Sequence, residues 1–287
     1  MSALPVLSFL IIALLAATSL FAQTPEAKQV EVFAQKISYV EAGSGSPVIL
    51  LHGMGVARNI WRSTIPALAA KFHVYAPDMI VFGASDKPLI NYRVATFSDF
   101  LDEFMHKLGI AKASLVGNSL GGWVAADFAI RYPDEVDRIV LVDAAGYFTG
   151  SIKREDLAFL NPATLDQTRE MTKRVFFNKQ MQTETFVHYL YAERMRIGDS
   201  YTIDRLLDSA VRREDALNER LGSIHAPAIV IFGRDDPLIP VADGEAMARQ
   251  IPGARKLILD ECGHAPEIEC AVPFEKALIE FLSAAAK

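Results

Sequence analysis

From Gln29 onward, short apolar runs alternate with longer amphipathic stretches. Gln29 to Ala34 and Lys36 to Ala42 read as an opening antiparallel pair of strands, followed by the turn GSGSP. Val48 to Leu51 is apolar throughout, the pattern of a strand buried on both faces, as parallel sheets require. Further strands are predicted at His73 to Ala76, Ala113 to Val116, Arg138 to Val142, Ala228 to Phe232 and Lys256 to Leu259. Between and after them, helical periodicity marks Val94 to Leu108, Trp123 to Ile130, Asp243 to Gln250 and Phe274 to Ser283. Alternation of this kind specifies an α/β fold: a mostly parallel sheet flanked by helices on both faces.

The alternation is interrupted between Tyr147 and Gly222, where Arg, Lys, Glu, Phe, Tyr and Met follow helical spacing and no strand is convincing, as in FVHYLYAERMRI. A helical insertion between two strands of an open α/β sheet sits near their carboxyl ends, where ligands bind. Residues 147–222 are therefore expected to form a helical cap on a core made of 23–146 and 223–287. A chain of 287 residues that is 51% hydrophobic suits one large domain with an insertion. The net charge of −6, with acidic and basic residues mixed along the chain, argues against a nucleic-acid surface.

Residues 1–22 carry no charged side chain, and Ala3 to Ala22 is almost unbroken Leu, Ile, Ala, Val and Phe. This segment reads as an export signal cleaved after Ala22, giving a periplasmic or secreted protein. The alternative is a retained N-terminal membrane anchor, and membrane association is expected only through this segment. The two cysteines, Cys262 and Cys270, flank GHAPEIE. In an oxidising compartment they are able to staple that loop, but free thiols are the preferred reading, since geometry decides bridging.

The stretch VGNSLGG, residues 116 to 122, places Ser119 between a predicted strand and a predicted helix. Glycines at 117 and 121 suit a tight turn in which the two backbone limbs approach closely and the hydroxyl is lifted clear of the sheet. A serine nucleophile needs a base, an acid to orient that base, and donors for the oxyanion that forms. CGHAPEIE places His264 just after the last predicted strand, and FGRDDPLIP places Asp235 and Asp236 just after the preceding one. The order Ser, Asp, His is that of the α/β-hydrolase triad. No histidine pair or Cys/His cluster has the spacing of metal ligands, and no cofactor is implied.

On LLHGMG, VGNSLGG, GRDDPLIP and CGHAPEIE, the chain from Glu31 to Ala284 resembles the α/β-hydrolase superfamily, in particular its capped, esterase-like members. The resemblance implies the α/β-hydrolase fold and selects Asp236 as the acid, with Asp235 and Asp143 as alternatives. It also implies an oxyanion hole made by the backbone N–H groups of Met54 and Leu120, and makes His52 a structural residue. Among the remaining histidines, His188 is the one that a cap is able to point into the site. Many relatives read Asp-x-x-Gly after the fourth strand where this chain has DMIV, so Val81 stands in place of a glycine and the loop Asp78 to Ser85 is expected to differ.

The implied activity is hydrolysis of carboxylic esters of small to medium hydrophobic substrates through an acyl-enzyme. The alternatives on the same triad are a C–C bond hydrolase of meta-cleavage products, a lactonase or a perhydrolase. The elbow resembles that of the C–C hydrolases, but those enzymes usually carry a tryptophan after the Gly-His pair, where this chain has Ala265, and a substrate-carboxylate arginine in the cap. Arg194 and Arg196 are the candidates for that arginine. Of Phe148, Phe159, Phe176, Phe177, Phe186, Tyr189 and Tyr191, more than half are expected to pack the cap onto the core rather than line the site.

Overall fold

The computed structural model describes residues 26–284, so the predicted signal or anchor segment lies outside the described residues. Eight strands form one sheet in the order β1-β2-β4-β3-β5-β6-β7-β8. They are β1 (Lys28–Val32), β2 (Gln35–Gly43), β3 (Pro47–Leu51), β4 (His73–Pro77), β5 (Ala113–Asn118), β6 (Val136–Val142), β7 (Ala228–Gly233) and β8 (Arg255–Leu259). Only β1 with β2 and β2 with β4 pair antiparallel; every other pair is parallel. The central strands β5 and β7 are buried along their whole length, which is why they read as continuous apolar runs rather than alternating ones.

Helices α1 (Thr64–Ala69), α2 (Val94–Lys107) and α3 (Leu120–Arg131) lie in the first half of the chain. Between β6 and β7 come α4 (Arg154–Leu157), α5 (Leu165–Val175), α6 (Glu184–Ile197) and α7 (Ser200–Val211), with no strand among them. The second half closes with α8 (Val241–Gln250), α9 (Pro266–Glu269) and α10 (Ala271–Ser283). The sheet separates two buried apolar layers. One gathers Phe97, Phe104, Leu115, Phe128 and Phe232 with α2, α3 and α8, and the other gathers Trp61, Leu50, Val116, Ile231 and Phe274 with α1 and α10.

Helix α3 starts at Leu120, three residues before the predicted Trp123, because Gly121 and Gly122 are already helical, while Gly117 lies within β5. The spacing there is tight. A Cβ on Gly117 would lie 2.1 Å from the Gly121 carbonyl oxygen, and one on Gly121 would lie 2.2 Å from that of Leu51.

Cys262 and Cys270 form a disulfide across a Cα separation of 5.8 Å, which corrects the reading as free thiols. The short α9 brings the two ends of GHAPEIE back together, and this closure is what the sequence pattern does not contain. Val81 takes a positive φ of 76°, a left-handed conformation that a β-branched residue rarely adopts. The chain thus keeps a glycine-like backbone at that position with a valine, its side chain buried in the core.

Candidate active site

Ser119 sits between β5 and α3 with φ 55° and ψ −116°, a strained conformation for a non-glycine residue and the one expected of a nucleophile at a sharp strand-to-helix turn. The turn is held from behind. The Ser119 carbonyl accepts from the N–H groups of Trp123 (3.1 Å) and Ala145 (3.0 Å), and the Ser119 N–H donates to the Val142 carbonyl (2.9 Å). Asn118 donates from its amide to the His264 carbonyl at 3.0 Å, tying the serine turn to the histidine loop.

His264 follows β8 and is buried, with Nδ1 2.8 Å from Oδ2 of Asp236. The other carboxylate oxygen of Asp236 accepts from the N–H groups of Leu238 (2.7 Å) and Ile239 (3.0 Å). Burial works against charge on Asp236, but the His264 ring and these hydrogen bonds outweigh it and hold the carboxyl below its ordinary range. Burial likewise opposes a charged His264, and the Asp236 carboxylate outweighs it, so the imidazole is raised above its usual value. Asp235 is brought elsewhere: its backbone N–H donates to the Cys262 carbonyl at 3.0 Å, one of the contacts that seat the acid loop against the histidine loop.

Met54 and Leu120, the expected oxyanion donors, line the same cavity as Ser119 and His264. Leu120 is the first residue of α3, so its N–H has no acceptor within the helix. A Cβ on Gly53 would stand 3.4 Å from Cβ of Ser119, which puts the loop carrying Met54 against the serine turn. His52 is fully buried; Nε2 accepts from the Met79 N–H at 3.0 Å, so Nδ1 carries the proton and donates to the Gly53 carbonyl at 2.7 Å. It braces the loop.

The cavity has a volume of about 1020 Å³ and lies between the carboxyl ends of the strands and the helical insertion. Phe148, Phe159, Phe176, Phe186 and Tyr189 line it, whereas Phe177 and Tyr191 do not; most of the aromatic group therefore faces the site, against expectation. Sequence spacing gives the side of α6 but not the cavity beneath it. His188 projects into solvent beside Glu184 rather than inward.

Of the two candidate arginines, Arg196 is exposed and paired with Glu193, while Arg194 is buried in the cavity wall. The Arg194 guanidinium donates to Oδ1 of Asn161 (2.6 Å) and faces the buried Asp199 at 3.8 Å. It also stands against the glycine loop, for a Cβ on Gly55 would be 3.3 Å from Nη1.

Two supporting residues escape sequence reasoning. Asn118 is lost inside the motif read for Ser119, whereas Asp143, an alternative acid in the sequence, lies near Asp236 and His264 without bonding the imidazole. Glu269 accepts from the N–H groups of Ala265 (3.1 Å) and Asn178 (2.7 Å), joining the histidine loop to the helical insertion.

A sequence model of the alpha/beta hydrolase fold matches residues 46–269. The chain is 30% identical over 253 residues to a 2-hydroxymuconate semialdehyde hydrolase from Pseudomonas sp. (strain CF600), covering 85% of this chain and 89% of that one. Among solved structures, a meta-cleavage product hydrolase from Pseudomonas fluorescens IP01 superposes with a TM-score of 0.82 at 28% identity, over 89% of this chain and 97% of the other. A membrane phospholipase A described as a bacterial virulence factor superposes equally well, TM-score 0.82 at 26% identity, over 90% and 86% of the two chains.

Proposed function

The chain belongs to the alpha/beta hydrolase fold family, and on that premise we propose that it is a serine hydrolase that cleaves a carbon–carbon bond beside a ketone in a carboxylated, partly hydrophobic substrate. The observation that carries this reading is Arg194, a buried guanidinium in the cavity wall against the glycine loop that precedes the serine turn in space. A buried arginine there supplies a planar pair of donors for a carboxylate, and the apolar wall formed by Phe148, Phe159 and Phe186 accommodates the remainder of the substrate. The names of the curated relatives support the same reading, which replaces ester hydrolysis as the first choice.

In the proposed reaction Ser119 Oγ attacks the ketone carbon while His264 takes its proton. Asp236 holds the imidazole by Nδ1, and the Met54 and Leu120 N–H groups receive the oxyanion. Collapse breaks the C–C bond, and the carbon leaving group takes the proton from His264. Water, activated by the same imidazole, then hydrolyses the acyl-enzyme to release the acid.

Ester hydrolysis stands as the second reading, favoured by Ala265 in place of tryptophan, by the size of the cavity, and by the likeness to a phospholipase. The deciding experiment follows the loss of conjugated absorbance of 2-hydroxy-6-oxo-6-phenylhexa-2,4-dienoate beside a p-nitrophenyl ester series. Dienoate turnover that falls at least tenfold in kcat/KM in Arg194→Gln, while ester turnover does not, supports the C–C reading. Ester turnover alone, indifferent to Arg194, overturns it.

Export is proposed on the apolar segment at residues 1–22 together with the Cys262–Cys270 disulfide, which an oxidising compartment maintains. Cell fractionation of the full chain tests it; recovery with cytoplasmic markers would remove the proposal.

A further inference from the structure

Asp143 follows β6 directly and adopts a φ of 39°, with its backbone N–H on the Ile231 carbonyl at 2.9 Å. Its side chain is fully buried. Oδ1 accepts from the Gly233 N–H at 3.0 Å, and Oδ2 has no conventional donor among the described residues. What it faces instead is another carboxyl group. One carboxylate oxygen each of Asp143 and Asp236 and a ring nitrogen of His264 lie within 4.8 Å of one another.

Two buried carboxylates in contact do not both carry charge; one keeps a proton and donates it to the other. Counting donors shows which. Asp236 accepts three hydrogen bonds, from Leu238, Ile239 and His264, whereas Asp143 accepts one, from Gly233. Charge therefore resides on Asp236 and the proton on Asp143. Burial does most to raise Asp143; Asp236, on the loop after β7, adds to it, as does Glu267, on α9, once that residue ionises. His264, beyond Asp236, spends its own proton on Asp236.

We propose that Asp143 is a positioning residue, a neutral carboxylic acid that donates to Asp236 in the resting protein and becomes the orienting acid for His264 when the Asp236 charge is removed. The inference rests on the triad reading above. In the intact site the Asp143 hydroxyl fixes the Asp236 carboxylate so that its Oδ2 stays aimed at Nδ1. When Asp236 is made neutral, the like charge that adds to burial in keeping Asp143 protonated is gone, and Asp143 lies close enough to the imidazole to orient it once ionised.

The test uses fluorophosphonate labelling of Ser119, which reads the activated serine without requiring the natural substrate. In Asp143→Asn the amide N–H replaces the acid O–H and the amide oxygen still accepts from Gly233, so labelling slows far less than in Asp236→Asn. Asp236→Asn slows labelling, but by less than the roughly 10⁴-fold loss expected of an orienting acid with no substitute. Its residual rate rises with pH across an additional ionisation, that of Asp143, which burial holds above the ordinary carboxylate range. Asp236→Asn combined with Asp143→Asn loses that step and falls at least a further tenfold. Thermal melts accompany each variant, and Asp143→Ser, which keeps a donor in a smaller volume, replaces Asp143→Asn if the latter does not fold.

A double variant no slower than Asp236→Asn, or an Asp143→Asn variant as slow as Asp236→Asn, overturns the proposal while the triad stands. Labelling that survives Ser119→Ala overturns the triad reading, and this inference with it.

Discussion

Glu267 is the least comfortable residue at the site. It is buried, both of its carboxyl oxygens lack a hydrogen-bond partner among the described residues, and burial pushes its carboxyl from 4.5 to about 8. Between those two values the unfolded chain has released this proton while the folded chain retains it, so stability falls as pH rises across the window. Glu267→Gln, which cannot ionise, should therefore gain more unfolding free energy at pH 8 than at pH 5, the difference being on the order of a few kcal/mol in denaturant titrations. Equal shifts at the two pH values would mean that Glu267 is charged in the folded protein. His264 gives the opposite slope in activity. Its imidazole must be neutral to accept the serine proton, and its raised value means that kcat/KM should climb with pH through a midpoint above about 6.5. A midpoint below that value would show that Asp236 does not hold the ring as a charged partner.

At the scale of elements, the junction of β5 and α3 is built on absent side chains. Alanine at position 121 would gain about 1 kcal/mol of helix propensity. It would also place a Cβ 2.2 Å from the Leu51 carbonyl oxygen and 2.7 Å from that of His52, both backbone atoms that cannot rotate away. The clash wins. Gly121→Ala should lose about 3 kcal/mol of stability in a denaturant titration and displace the Met54 loop, which follows His52 directly. A second element-scale device is the loop from Cys262 to Cys270. The disulfide, the Glu269 contacts and the Asn118 hydrogen bond all fix the same short segment, and His264 is its third residue. Closing a loop of sequence separation 8 stabilises by about 2 to 3 kcal/mol in the chain-entropy account. Reduction should accordingly lower the melting temperature by about 5 to 10 °C, and a melt unchanged by reductant would show that the remaining contacts suffice.

Across the whole molecule, the parallel sheet brings Ser119, Asp236 and His264 to one end from three separate strand termini, while the helices between β6 and β7 roof the cavity. The order of strands and helices was legible because each buried strand is a short apolar run and each covering helix repeats at its own period, both local properties of the chain. The candidate nucleophile, base and acid were legible too, since glycine-bracketed turns and residues placed just after strands leave local marks. What only the tertiary structure decided are the relations between distant segments. Cys262 and Cys270 close because α9 folds their loop back on itself. Arg194 rather than Arg196 faces the cavity, because two residues along a helix turn a side chain by more than a right angle, and only packing against Gly55 says which direction is inward. Asp143 meets Asp236 because β6 and β7 are neighbours in the sheet, and no pattern within either strand records that meeting. Local periodicity fixes elements; the burial of a charge, and its partner, exist only once the elements have packed.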